Sequence, residues 1–344
     1  MNFTELIDFA KRERCSDVHI TVGTAIALRR FGRLEMLDPI PPAQESLDMI
    51  MESLNEEQRA KVLAGRDIDF ALMMPDGTRL RCNVYHQRNN VAACYRLLNS
   101  KVPTFDELGI PEAVRRLANE PRGLVLVTGP TGSGKTTTMA SMVNYINKRQ
   151  AKHVITIEDP IEYVYQHAKS MIHQREVGRD VDSFSVALRS ALREDPDVIL
   201  VGEMRDQETI SAAITAAETG HLVLSTLHTS SAAQTIDRII DSYPPHAQSQ
   251  VRTQLATILK GVVTQVLLPR EDGAGMLMAT EVLLNNDAIA NQIRDGKTHQ
   301  IPGTLQSNTQ SGMHTLDADL KRLVMERKIS NETALKFCSN PKTF

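Results

Sequence analysis

The chain has 344 residues, room for about two domains at the usual domain size. Hydrophobic residues make up 41% and charged residues 24%, which excludes collagen-like, disulfide-scaffold and wholly disordered classes. A formal charge of -3, from 39 basic and 42 acidic residues, argues against a general nucleic-acid or anionic-membrane binder, a local basic stripe aside.

The N-terminus, MNFTELIDFAKRER, carries Glu5 and Asp8 where a signal peptide needs basic and then apolar residues. Within residues 2–14, Phe3, Leu6, Ile7 and Ala10 recur with the helical period. The pattern then shortens. VHITVG, IALRRFG and RLEML read as strands broken at Gly23 and Gly32, and Gln44–Leu54 returns to helix. DIDFALMMPDGTRLRCNV reads as a hairpin turning at Pro75-Asp76-Gly77. In its second arm Leu80, Cys82 and Val84 share one face, and Arg79, Arg81 and Asn83 share the other. VAACYRLL adds a third strand. Residues 1–98 thus form a small α+β domain, and the aperiodic stretch 99–111, with its two prolines, is the expected linker.

From residue 112 the grammar changes. GLVLVTG is a short apolar run ending in glycine, and Lys135 to Arg149 is helical. VITIE, DVILVGE and LVLSTLH follow as buried-type strands alternating with helices, the pattern of a parallel sheet covered on both faces. Beyond about residue 268 the expectation is helical, over Asp287–Asp295, Thr315–Lys328 and Asn331–Phe337. No run reaches the ~18–20 apolar residues of a membrane span. Cys15, Cys82, Cys94 and Cys338 have no CxxC spacing, which suits a reducing compartment better than a zinc site or a disulfide frame. The expectation is a soluble, cytoplasmic protein of two domains.

The most specific signal is GPTGSGKT: Gly129, Pro130, Thr131, Gly132, Ser133, Gly134, Lys135 and Thr136, followed by Thr137. It fits GxxxxGK followed by Ser or Thr, directly after a predicted strand and opening a predicted helix. Glycines let successive N–H groups curl around a phosphate, and the helix N-terminus adds partial positive charge. Lys135 would reach the β- and γ-phosphates, and the Thr136 hydroxyl would ligate Mg²⁺. The pattern predicts ATP and Mg²⁺ as ligands.

Such a loop needs acids near the γ-phosphate. Glu203, after the strand that Asp197 precedes, suits polarising water or holding magnesium. Glu158, Asp159 and Glu162 follow another apolar strand and offer an alternative. His221 and His228 flank a third strand, too far apart for one metal ion, with His228 emerging beside the phosphates. Arg79, Arg81 and Arg96 are candidates for an arginine supplied to a neighbouring subunit's site.

Taken together, these boxes resemble the secretion-ATPase superfamily of type IV pili and type II secretion. SDVHI at 16–20, the phosphate loop, ITIEDPIEYV as an Asp box, LREDPDVILVGEMRDQET as a Walker B segment and AAETGHLVLSTLHT as a His box stand in that family's order. The resemblance covers almost the whole chain. It implies a hexamer in which a PAS-like N-terminal domain joins a RecA-like ATPase domain, with nucleotide between them and Arg81 and Arg96 arriving from the N-terminal domain. His221 belongs to the His box and by the same resemblance would serve nucleotide binding.

The absence of cysteine over 229–337 and the short N-terminus are most similar to the pilus-retraction branch. That branch carries a C-terminal box AIRNLIRE. Here residues 288–295 read AIANQIRD, so an accessory retraction ATPase, or an assembly ATPase of a secretion system, stays open beside the primary motor. The implied partners are further copies of the chain, an inner-membrane pilus platform protein and a second pilus ATPase, with docking at the inner face of the membrane and no insertion into it. A RecA-like nucleic-acid translocase is opposed by the charge and by 4% aromatic content; a non-hydrolysing regulator is opposed by intact Lys135, Thr136 and Glu203.

Overall fold

The computed structural model describes residues 1–30, 33–98 and 101–341. They fall into two compact units, Met1–Lys101 and Val102–Phe344. The expected strand break at Gly32 and the start of the expected linker at 99 lie outside the described residues.

In the first unit, the N-terminal helix Phe3–Arg12 starts at Asn2, whose side chain accepts the Glu5 N–H in a reciprocal capping box. Its Phe3, Leu6, Ile7 and Ala10 are buried, as their spacing requires. The strands are β1 (Cys15–Thr21), β2 (Ala27–Arg30), β3 (Arg33–Met36), β4 (Ile68–Met73), β5 (Arg79–Gln87) and β6 (Asn90–Leu98). They form an antiparallel sheet in the order β3-β2-β1-β6-β5-β4. Leu80, Cys82, Val84, Ala93 and Tyr95 pack with the first helix and with Met49 and Ile50 of the helix Ala43–Glu52. Tyr95, fully buried, shares a hydrogen bond of 2.9 Å with the Ser53 hydroxyl, so its polar end has a partner. A further helix, Glu56–Leu63, stands where no element was expected; only Val62 of it is buried, so no apolar stripe announces it.

The second unit is built on β7 (Gly123–Thr128), β8 (His153–Glu158), β9 (Met171–Glu176), β10 (Val198–Val201), β11 (Leu222–Leu227), β12 (Leu259–Pro269) and β13 (Met276–Leu284). The order is β13-β12-β7-β11-β10-β8-β9, parallel throughout except for β13 at one edge. Every residue of β7, β10 and β11 is buried, the mark of strands covered on both faces. One face packs on the helices Phe184–Ala191, Gln207–Glu218, Ala232–Asp241 and Pro245–Ile258, the other on Lys135–Arg149 and Glu112–Leu117.

Four local expectations differ from the structure. Phe105 and Ile110, inside the stretch 99–111, are buried in the second unit's core, and Phe105–Leu108 is a short helix capped by Thr104. Pro111 is the N-cap of the helix Glu112–Leu117, and the Pro103 carbonyl accepts from the Ser141 hydroxyl at 2.6 Å. The part read as helical from 269 begins with β13, which pairs along its length with β12. β9 was also unforeseen, because its sequence MIHQRE is mostly polar, as an edge strand allows. Finally, Arg79 is buried, although it alternates with Arg81 on the arm's polar side.

Candidate functional site

Parallel pairing places the carboxyl ends of the central strands at one edge of the sheet. Thr128 is level with Leu227, and Val201 is level with both Ser225 and Ile157. The loops after β7, β11, β10 and β8 therefore emerge side by side, the usual ligand position in an open α/β sheet.

The loop after β7 is a cradle of backbone. Gly129, Gly132 and Gly134 have φ values of 141°, 78° and 86°, and Gly134 is the N-cap of the helix Lys135–Arg149. At Gly129 the constraint is also spatial: a Cβ there would stand 2.3 Å from the Gln265 carbonyl oxygen and 2.6 Å from Ser133 Oγ. The Lys135 ammonium turns back to donate to the carbonyl oxygens of Gly129 and Pro130, each at 2.9 Å. Burial pushes its pKa below the ordinary lysine range, and the nearby Glu203 carboxylate opposes that shift. A cation held over the curled loop with only neutral carbonyls as hydrogen-bond acceptors is suited to receive an anion. Thr136 is exposed at the second position of the helix. The Thr137 hydroxyl shares a 3.2 Å hydrogen bond with Tyr163 and so ties the helix to the loop after β8.

Glu203 follows β10 by two residues and is largely shielded. One carboxylate oxygen forms an ion pair with Arg205, whose Nε stands 2.7 Å away, and the other lies 3.4 Å from His228 Nε2. The Thr226 hydroxyl donates to Gly202 O at 2.6 Å, and the Met204 N–H donates to Thr226 O, so β11 fixes the turn that carries the acid. His228, just past β11, lies between the strands that bear the phosphate loop and Glu203. The structure thus brings Lys135, Glu203 and His228 to one edge.

Glu158 ends β8 at the same edge and is buried, with one oxygen accepting from the Thr156 hydroxyl at 2.6 Å and from Gln174 Nε2 at 3.1 Å. Glu162 is half-buried in the following loop. Asp197 is elsewhere. It stands before β10, at the other edge, accepting from the His153 N–H and pairing with Lys152. His221 is also at that far edge. Its carbonyl accepts the N–H of Gly123, the first residue of β7, and its ring contacts the end of the helix Gln207–Glu218. A six-residue strand, about 20 Å long, separates it from the loop of the same chain, so it does not join this cradle.

In the first unit Arg81 and Arg96 are register partners on β5 and β6, and Arg96 also faces Asp17 of β1. Arg96 Nε donates to the buried Asp17 carboxylate at 2.8 Å, and the Ser16 hydroxyl donates to it at 2.7 Å. Burial alone would raise the Asp17 pKa; the bonds from Ser16 and Arg96 outweigh it and hold the group below its usual range. Arg96 therefore has a structural bond inside its own unit, while Arg81 is exposed.

Two further residues at the site went unnoticed in the sequence: Gln265, whose amide donates to Ser133 O, and Thr264, whose hydroxyl meets that of Thr128 at 2.8 Å. Both lie on β12, far away in sequence, and a polar pair inside GVVTQVLLP was the available signal.

For magnesium, the exposed Thr136 hydroxyl and the Glu203 carboxylate are hard oxygen donors of the right kind. Among the described residues no group of three His, Cys, Asp or Glu side chains is ready for a metal, so phosphate oxygens and water would complete the shell, as suits this ion.

A model of the family described as type II/IV secretion system protein matches residues 3–333. The type IV pilus retraction ATPase PilT of Pseudomonas aeruginosa is 44% identical to this chain over 346 aligned positions, covering 100% of both. A twitching motility protein of Neisseria gonorrhoeae is 47% identical, covering 96% of this chain and 90% of its own. The crystal structure of the pilus retraction motor PilT with bound ADP matches with a TM-score of 0.94 at 44% identity, over 100% of this chain and 99% of that one. The α/β fold with its phosphate cradle and this likeness along the full length agree: the chain belongs to the type II/IV secretion system protein family.

Proposed function

We propose that this chain is an ATP-hydrolysing motor that powers type IV pilus retraction, and with it twitching motility. The observation that carries the proposal is a complete phosphate cradle beside a strand-end acid, Glu203, in a chain that matches a retraction ATPase from end to end. On this reading the second unit is a RecA-like ATPase domain and the first a PAS-like domain.

The backbone N–H groups of residues 131–136 and the N-terminus of the helix Lys135–Arg149 receive the phosphates, with Thr137 at the outer rim. Lys135 exchanges its two neutral carbonyl acceptors for anionic β- and γ-phosphate oxygens, so that both partners of each bond are charged. Thr136 and Glu203 would hold Mg²⁺, which would neutralise developing phosphate charge. Glu203 orients the attacking water and His228 steadies its second oxygen; Arg205 must give way for the carboxylate to act as a base. Glu158 or Glu162 assists from the neighbouring strand end.

Arg81 and Arg96 of an adjacent copy stabilise transition-state charge, in a ring of six copies. The ring works in the cytoplasm, docked on an inner-membrane platform protein, with a second pilus ATPase as companion motor; no helix among the described residues is long and apolar enough to cross a membrane. His221 is assigned no contact with the nucleotide of its own chain.

The test has two parts. Purified protein should release phosphate from ATP, and Lys135→Ala should not. A deletion strain should carry excess surface pili that do not retract, corrected by the wild-type chain and not by Lys135→Ala. Bald cells would make it an assembly ATPase, and normal piliation would overturn the motor role.

A further inference from the structure

The geometry points to Gln265 as a positioning residue for the phosphate loop, an inference that rests on reading residues 129–136 as that loop. Gln265 is fully buried on β12, the strand beside β7. It meets the loop at three points. Its side-chain Nε2 donates to the Ser133 carbonyl oxygen at 2.6 Å. Its own main-chain carbonyl fills the space in front of Gly129, where any side chain would collide at 2.3 Å. The same Nε2 lies 3.2 Å from where a Cβ on Gly134 would stand, beside Leu267. One residue earlier, the Thr264 hydroxyl holds that of Thr128, the last residue of β7.

The Ser133 carbonyl is the part that matters. A phosphate loop works by turning N–H groups inward, so a carbonyl on its outer side, such as that of Ser133, must find a donor elsewhere. Gln265 supplies that donor from a fixed strand. It does so at some cost, since its Oε1 is buried without a hydrogen-bond partner, and so is Ser133 Oγ. A buried amide half satisfied for the sake of one carbonyl is hard to account for as packing, because a methionine would fill the same volume with no unpaired group. Gln265 thus sets the orientation of the Ser133–Gly134 peptide, which carries one of the N–H groups offered to the nucleotide. It touches no reacting atom and acts through the loop.

The experiment is titration of the full-length protein with a fluorescent ADP analogue across about pH 5.5 to 8.5, comparing Gln265→Met, Gln265→Glu and Lys135→Ala. Gln265→Met should weaken binding by about tenfold, the worth of one buried hydrogen bond, by the same factor at each pH. Gln265→Glu should bind nearly as the wild type at the acid end, where a protonated carboxyl donates to Ser133 O. It should lose affinity as pH rises and a carboxylate faces that carbonyl, since burial raises the pKa of such an acid. A packing role would not produce that pH profile. Methionine binding within twofold of wild type, or a glutamate variant that shows no recovery at low pH, overturns the inference. Gln265→Asn, too short to reach Ser133, carries the same expectation as methionine if that variant does not fold. Lys135→Ala separates the two levels: unchanged binding there defeats the reading of the loop, whereas loss there with unchanged Gln265 variants defeats only the role of Gln265.

Discussion

At the scale of single residues the site is an arrangement of charges waiting for an anion. Lys135 is buried against carbonyls, and Glu203 is held from two sides by Arg205 and His228. The two charges play different parts, so their removal should have different kinetic signatures. Lys135→Ala should abolish measurable nucleotide binding. Glu203→Gln keeps the volume and one acceptor oxygen but removes the base, so kcat should fall by about 10²–10⁴-fold with ADP affinity changed only a few-fold. Phosphate release and nucleotide titration on the same preparations check this. If Glu203→Gln loses binding and turnover together, the carboxylate belongs to the binding set alone.

Among the elements, β12 and β13 carry more than their sequence announces. β12 closes the space in front of Gly129, so Gly129→Ala should cost nucleotide affinity by more than tenfold through displacement of the loop, a larger effect than any surface change nearby. Binding of the fluorescent analogue reads it directly, and near-normal affinity would show that the loop has slack. On β13, Glu281 is buried and accepts the Ala232 N–H at 2.8 Å, at the start of the helix Ala232–Asp241. Burial raises its pKa above the ordinary glutamate value, and the N–H groups of Ala232 and Leu316 oppose the shift. With the folded pKa above the unfolded one, folding takes up a proton. The associated stability is complete below the unfolded value and is lost as pH rises through the folded one. Glu281→Gln retains an acceptor oxygen and removes the titration, so the fall of Tm from about pH 5 to 8 should flatten; an unchanged slope assigns it to other groups.

On the scale of the whole molecule, the proposed motor needs copies to complete each other's sites. Arg81→Ala and Lys135→Ala subunits should each be inactive alone. Mixed, they should regain part of the activity, because an intact phosphate loop then meets a neighbour's intact Arg81; no recovery would place the arginine's role within its own chain. What was legible in the sequence were the features that local chemistry specifies. Gly129–Thr136 must curl because its glycines and its place between strand and helix allow little else, and the apolar runs at 123–128, 198–201 and 222–227 must be interior strands. Their alternation with helices already implied a parallel sheet, and hence Glu203 and His228 at one edge. Less local features were not legible. An edge strand such as β9 is stabilised by a partner on one side and so carries no full apolar signature, β13 is apolar but its pairing with β12 is not written in it, and helix Glu56–Leu63 buries a single residue. The sequence by itself determined the glycine-rich turn between strand and helix at 129–136 and the place of Glu203 just past an interior strand, because each rests on neighbours within a few residues. Only the tertiary structure decided that Arg96 is bound to Asp17 and that Gln265 donates to the Ser133 carbonyl, because each depends on strands brought together from distant parts of the chain.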